Sequence, residues 1–302
     1  MDKNQRRRVA AGLAAERGGV VRRRDLRAAG VHRNDVRTEV GNGRWRVRGL
    51  HTLEVLEVPK EPVADLWHAV WESGPGAVLD GPAALVAQGM QGFAPSTIDV
   101  SLPRSASVRE VHGVTTHQRR VLERCVTAGV PRVAPEWAII HAAQWAVSDR
   151  QAALLVCLPV QQRLVRPARL MEAWLIVRRS PRRELLGQVI PDVCDGAHSL
   201  GELDFGGWCR RYGLPQPRRQ SLRTGPSGRV YLDVEWEGLV VEIDGGHHLL
   251  GLNPTDDALR ANEVALGSTR VLRIPLLGLR LDPWRFMDQV ARGLGLPVLT
   301  SA

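Results

Sequence analysis

The sequence predicts a multidomain α/β protein: three short helices and a hairpin at the N-terminus, a mainly helical middle region, and a C-terminal mixed sheet flanked by helices. Three features carry that reading. Glycine-punctuated helical stretches fill the first fifty residues, helical periodicity dominates residues 135 to 194, and from Ser199 onward the pattern becomes α-β-β-β-α-β-α. The corresponding divisions are residues 1–57, 58–198 and 199–302.

In the N-terminal segment, "RRRVAAGLAAERGG" places Val9 and Leu13 on one helical face, and Gly18-Gly19 end the helix. A second helix around Asp25 to Ala29 stops at Gly30, and a third, within "HRNDVRTEVGNG", stops at Gly41 to Gly43. Three short helices with a glycine turn between the second and third match a helix-turn-helix. His32, Arg33, Asn34 and Arg37 lie near the start of the third helix, where a recognition helix presents side chains to bases and phosphates. "GRWRVRGLHTLEV" then alternates like a hairpin or wing, with Arg44, Arg46 and Arg48 on one face and Trp45 and Val47 on a face able to pack.

Charge singles out this module. Residues 1–50 hold fourteen of the 41 Lys+Arg and five of the 32 Asp+Glu, which accounts for the whole formal charge of +9. A basic module on a neutral body points to a polyanion partner, because neutralising phosphates releases counterions. Only Lys3 and Lys60 are lysines, but a bias towards arginine would not confine the surplus to one end. The segment resembles the winged-helix domain of AbiEi-type antitoxins, through Gly30, Val31, Arg33, Val36, Gly43, Arg44, Trp45 and Val47. That resemblance implies nucleic-acid binding by Arg33, Asn34, Arg37, Arg44 and Arg46.

"VPKEPVAD" reads as a linker, and "TIDVSLPR" and "VHGVTTHQR" read as strands. His117, His141 and His198 stand alone in the sequence, and Trp67, Trp71, Trp137, Trp145 and Trp174 at helical spacing are expected in the core. The middle region contains no nucleophile constellation and reads as a scaffold. Cys125, Cys157, Cys194 and Cys209 are far apart, so neither a disulfide framework nor a zinc knuckle is expected. No stretch approaches ~18 apolar residues and the basic N-terminus lacks an apolar core, so a cytoplasmic protein without membrane contact is expected.

In the C-terminal region Ser199 is a plausible N-cap and Gly213 a helix stop. "RVYLDVEWEGLVVEIDGGHH" follows, two β-type runs that contain Asp233, Glu242 and Asp244. A turn at Glu237-Gly238 brings Asp233 opposite Glu242, while alternation puts Glu242 and Asp244 on one face. Carboxylates in buried strands require a positive partner, and an oxygen-rich cluster suits Mg²⁺ or Mn²⁺.

The segment from Ser199 to Leu294 resembles domain of unknown function 559, a relative of the very-short-patch-repair endonucleases in the PD-(D/E)xK superfamily. Glu202, Asp233 with Trp236, Glu242-Ile243-Asp244-Gly245 with His247 and His248, Asp256-Asp257 with Arg260 and Asn262, and Val271-Leu272-Arg273 carry it in order. The resemblance implies a restriction-endonuclease-like fold and a metal-dependent phosphodiesterase acting on DNA, or on RNA. It implies metal ligation by Asp233, Glu242 and Glu202, with Asp244, His247 and Arg260 also in the catalytic set. Asp244 departs from the family pattern, since it stands where the superfamily usually has lysine; relatives use histidine there, which points to His247 or His248. The alternative implied is an inactive DNA-binding regulator of the AbiEi type.

Overall fold

The computed structural model describes residues 1–195, 203–224, 230–244, 253–266 and 271–299. The chain divides into two units, Met1–His141 and Ala142–Ala302.

The first unit opens with α1 (Lys3–Ala15), whose N-cap Asp2 accepts hydrogen bonds from the Asn4 and Gln5 amides. A short strand β1 (Val20–Arg22) follows, then α2 (Arg23–Ala28) and α3 (Arg33–Gly41). The hairpin β2 (Trp45–Val47) and β3 (Thr52–Val55) completes a three-stranded antiparallel sheet in the order β1-β3-β2. The sequence pattern predicts the three helices and the hairpin; β1 is additional, and forms because Val20 and Val21 alternate into pairing with Glu54 and Leu53. Ala10, Ala14, Leu26, Val31, Val36, Trp45 and Leu53 make the core of the module.

The wing departs from its expected alternation at Val47, which is 51% exposed rather than packed. β2 ends there, and the turn after it is bound to α4 (Val63–Ser73) instead. The buried Glu72 carboxylate accepts hydrogen bonds from the Leu50 and His51 amides at 2.9 and 2.8 Å and from the Thr52 hydroxyl at 2.7 Å. A Cβ on Gly49 would fall 2.5 Å from that carboxylate, so the turn needs glycine there. The expected linker is likewise docked: Glu61 N donates to Gly18 O, and a Cβ on Gly19 would lie 2.9 Å from Pro59 O.

The rest of the unit holds β4 (Val78–Leu79), α5 (Gly81–Ala87), β5 (Ile98–Pro103), β6 (Val114–Arg119), β7 (Cys125–Val126) and β8 (Arg132–Val133). They form a five-stranded sheet, order β6-β5-β4-β8-β7, whose two longest strands are those the alternation predicts. α6 (Pro135–Trp145) runs across the division between the units, and α7 (Asp149–Gln161), α8 (Pro167–Ile176) and α9 (Arg183–Cys194) follow, as the helical periodicity of this region anticipates. Of the tryptophans expected in the core, Trp71 and Trp174 are buried, and Trp67, Trp137 and Trp145 are half-buried.

The C-terminal sheet is built from β9 (Arg219–Thr224), β10 (Val230–Trp236), β11 (Leu239–Asp244) and β12 (Val271–Pro275), in the order β12-β11-β10-β9. β9, β10 and β11 are antiparallel neighbours, and β12 lies parallel to β11 after a crossover through the helix Asn253–Ala265. Helix Phe205–Arg211 precedes the sheet, capped by Asp204 and followed by Gly213 at φ +68, while Ser199 lies outside the described residues. Leu232, Val234, Trp236, Val241, Ile243, Leu272 and Ile274 pack with Phe205, Leu259, Phe286, Met287 and Val290 in one core. All these strand residues share one face, so among the described residues the helices cover one side of the sheet.

Candidate functional site

The opposite face of the C-terminal sheet collects the acidic residues singled out by the sequence. Trp236 pairs with Leu239 across the Glu237-Gly238 turn, with Gly238 at φ +86, and this register sets Asp233 directly opposite Glu242. Residues so paired have Cβ atoms about 4.5 to 5.5 Å apart. Asp244 sits on the same face, across from Tyr231. The carboxylates are therefore not inside the core: the side chains of Asp233 and Glu242 are 15% and 21% exposed. The strands are amphipathic, with burial alternating residue by residue.

Two carboxylate charges about 5 Å apart repel by about 3 kcal/mol at an effective dielectric near 20, a repulsion that a cation between them offsets. Among the described residues arginine supplies it. Arg223, on the edge strand β9, places Nε 2.8 Å from Asp233 Oδ2 and Nη2 3.0 Å from Glu242 Oε1, and its guanidinium lies 5.1 Å from the centre of the Tyr231 ring. Arg273 on β12 reaches Glu242 Oε2 with Nε at 3.2 Å. The hydrogen bond to Asp233 and the two nearby carboxylates raise the pKa of Arg223 further.

Asn262 explains how Arg273 is held. Its side-chain amide donates to Arg273 O and to Gln289 Oε1, at 2.8 and 2.9 Å, and its Oδ1 accepts from Arg273 N at 2.9 Å. The side chain is buried with both donors used, so it pins β12 beside β11 at the row containing Glu242.

The oxygen donors fit a hard divalent ion, since Mg²⁺ keeps several waters and is commonly held through one or two carboxylates. No group of three or more His, Cys, Asp or Glu arranged for a metal occurs among the described residues. Glu202, His247 and His248 lie outside the described residues, and Arg260 is placed only as a backbone position in helix Asn253–Ala265. The side chain of Asp256 pairs with Arg150.

The N-terminal module presents a different surface. Arg33, Asn34, Arg37 and Thr38 form the exposed face of α3, while Val36 and Glu39 face inward. A groove of about 980 Å³ lies beside them, lined by Arg23, Arg27, His32, Arg33 and Asn34 and by Val47 and Leu50 of the wing. Among the described residues Arg23, Arg27, Arg33 and Arg37 have no carboxylate partner. The arginines of the wing do. Arg46 pairs with Glu54 at 2.6 Å, Arg48 pairs with Asp65, and Arg44 lies 3.7 Å from both Glu39 and Glu57.

Glu39 is the anchor beneath this surface. Its fully buried carboxylate takes Arg6 and Arg7, at 2.9 and 3.0 Å, tying α1 to α3. Burial acts to raise its pKa, but the hydrogen bonds from Arg6 and Arg7 outweigh that and lower it. The expected recognition-helix residues are thus brought together, while the two wing arginines are turned to internal carboxylates. The α2 arginines, absent from the sequence-derived set, join the groove; their signal is the "RRRDLR" run, which places Arg23 and Arg27 four apart on one helical side.

The middle region also contains a polar network that sequence spacing did not reveal. His141, isolated in the sequence, has Nδ1 2.9 Å from Asp80 Oδ1 and Nε2 2.8 Å from Arg119 Nη2. Arg119 also donates to Glu123 at 2.9 Å, and the Ser101 hydroxyl donates to Asp80 Oδ2 at 2.5 Å. His117 pairs with Asp99 at 2.8 Å, and His198 lies outside the described residues. The network joins residues 61 positions apart, which is why no local motif announces it.

Burial works to raise the Glu123 carboxyl, yet the His141 ring 3.7 Å away and the hydrogen bond from Arg119 hold it down at about 2, from an ordinary 4.5. A depressed carboxylate pKa stabilises the fold above the unfolded value, and that stability is lost as pH falls towards the folded value. Glu123 should therefore contribute up to ~3 kcal/mol that disappears between about pH 4.5 and pH 2. Urea midpoints across that window should fall more steeply in the unaltered protein than in Glu123→Gln; parallel curves would remove Glu123 from the acid response.

Cys125, Cys157, Cys194 and Cys209 are free thiols. No helix among the described residues is long and apolar enough to cross a membrane. The chain matches no protein-family model and no curated protein.

Proposed function

We propose that this protein is a metal-dependent endonuclease-like phosphodiesterase of the cytoplasm, carried to DNA by its N-terminal winged helix. The observation that carries the reading is the register pairing of Asp233 with Glu242 on the solvent-facing side of a mixed four-stranded sheet. Asp233 and Glu242 would hold Mg²⁺ or Mn²⁺, which supplies, when bound, stabilisation of charge on the phosphate and a water of lowered pKa. Asp244 adds negative charge to the same face, and the family resemblance adds Glu202, His247 and Arg260 to the set. The exposed face of α3 and the groove beside it offer to the phosphate backbone arginines that have no carboxylate partner among the described residues. RNA is the other substrate class compatible with these side chains.

A second reading, a DNA-binding regulator with an idle nuclease fold, is favoured by one observation: arginines already neutralise the carboxylate pair. Cleavage of plasmid and oligonucleotide substrates with Mg²⁺ or Mn²⁺ separates the two. Cutting by the intact protein that vanishes in Glu242→Ala is the expected result. Absence of cutting on duplex, mismatched and single-stranded substrates, with no Mn²⁺ heat in calorimetry, would favour the regulator.

A further inference from the structure

The guanidinium of Arg223 stands between Asp233 and Glu242, in contact with both. A divalent ion shared by these two carboxylates would need that same space, and two cations cannot share it. Arg223 is nevertheless free to leave. Its backbone is fixed by pairing with Tyr231, but its side chain is 45% exposed on an edge strand and rests against the half-buried Tyr231 ring rather than in the core. Arg273 is similar: Asn262 grips its backbone on both sides, while its side chain is 78% exposed. Both are long cationic arms on fixed pivots. A guanidinium fork matches phosphate oxygens as well as it matches carboxylates.

We propose that Arg223 and Arg273 are exchange residues, which hold the carboxylate pair while the sheet face is bare and pass to the phosphates of bound nucleic acid, releasing Asp233 and Glu242 to a divalent ion. This rests on the nuclease reading above and adds regulation to it: metal and nucleic acid bind cooperatively. Each leaves its mark on the other by the same factor, because coupling between two binding equilibria is reciprocal. Without nucleic acid, the metal must displace an arginine and binds weakly. With it, the arginines have somewhere to go. The arrangement would keep the metal site closed until a substrate lies on it.

Calorimetric titration of Mn²⁺ into the intact chain tests the exchange, comparing the unaltered protein with Arg223→Gln, Arg223→Lys and Glu242→Gln. Arg223→Gln should bind Mn²⁺ at least about tenfold more tightly than the unaltered protein, within the range of typical coupling factors. Arg223→Lys, which keeps the competing charge, should stay close to the unaltered protein, and Glu242→Gln should lose binding. In parallel, fluorescence anisotropy of a labelled DNA duplex, with and without Ca²⁺ at constant ionic strength, should show Ca²⁺ tightening duplex binding about tenfold, and much less in Arg223→Gln. Mn²⁺ binding that depends on Glu242 but is unchanged or weaker in Arg223→Gln would overturn the exchange and leave the metal site standing. Absence of Mn²⁺ binding in both the unaltered protein and Arg223→Gln would overturn the metal reading itself, and the exchange with it.

Discussion

Glu39→Ala is expected to destabilise the N-terminal unit by about 3 to 5 kcal/mol, the cost of breaking a buried ion pair from one side. The Glu39 side chain has no exposed surface, and those of Arg6 and Arg7 are only 13% and 18% exposed. Arg6 would keep Asp35 at 2.7 Å, but among the described residues Arg7 has no second carboxylate and already buries Nη2 without a hydrogen bond. Removing Glu39 therefore leaves a guanidinium largely withdrawn from water with nothing to compensate it, and cuts the tie between α1 and α3. Lys60→Ala is the control. Its pair with Asp65 at 3.2 Å joins side chains that are 47% and 43% exposed, and pairs of that kind contribute about 0 to 1 kcal/mol. Chemical denaturation of the two variants should separate them clearly. A loss near 1 kcal/mol for Glu39→Ala would mean that the cluster orients α3 without stabilising it.

The second large effect concerns which arginines meet nucleic acid. Each phosphate contact contributes about 0.9 to the slope of log affinity against log salt on duplex DNA. Replacing Arg23, Arg27 and Arg33 together with alanine should flatten that slope by roughly 2 to 3 and weaken binding most at low salt. Replacing Arg44 and Arg46 should change it by less than about 1, because both face carboxylates of their own module. Anisotropy titrations over a range of KCl concentrations measure both. Equal flattening by the two sets would show that the wing arginines abandon their carboxylates on binding, and that the groove has no special standing.

A shared rule connects these outcomes. At both ends of the chain a charge is meaningful according to what it already touches. Alternation puts Arg44 and Arg46 on one face of the wing, where the resemblance implies nucleic-acid contacts; in the structure they lie beside Glu39, Glu57 and Glu54. Arg223 has no role in the sequence pattern and Arg273 enters it only as the last residue of the Val271-Leu272-Arg273 block, yet they are the cations that pair with Asp233 and Glu242.

Local interactions are what the sequence by itself determined. Helices α1 to α3, their glycine stops, and the order α-β-β-β-α-β-α are set by residues within a few positions of each other, although β12 is followed by two helices, Leu276–Leu281 and Pro283–Gly293, where the pattern predicts one. So is the pairing of Asp233 with Glu242, because a two-residue turn at Glu237-Gly238 settles the register of the whole hairpin. Only the tertiary structure decided which face of that hairpin meets solvent, since this depends on where helices distant in sequence pack. It also decided the partners of the charges: Glu39 with Arg6 is separated by 33 residues, Glu242 with Arg273 by 31, and Asp80 with His141 by 61. Periodicity reports the direction of a side chain along its own element. The group waiting there is fixed by chain folding over distances that no local pattern spans.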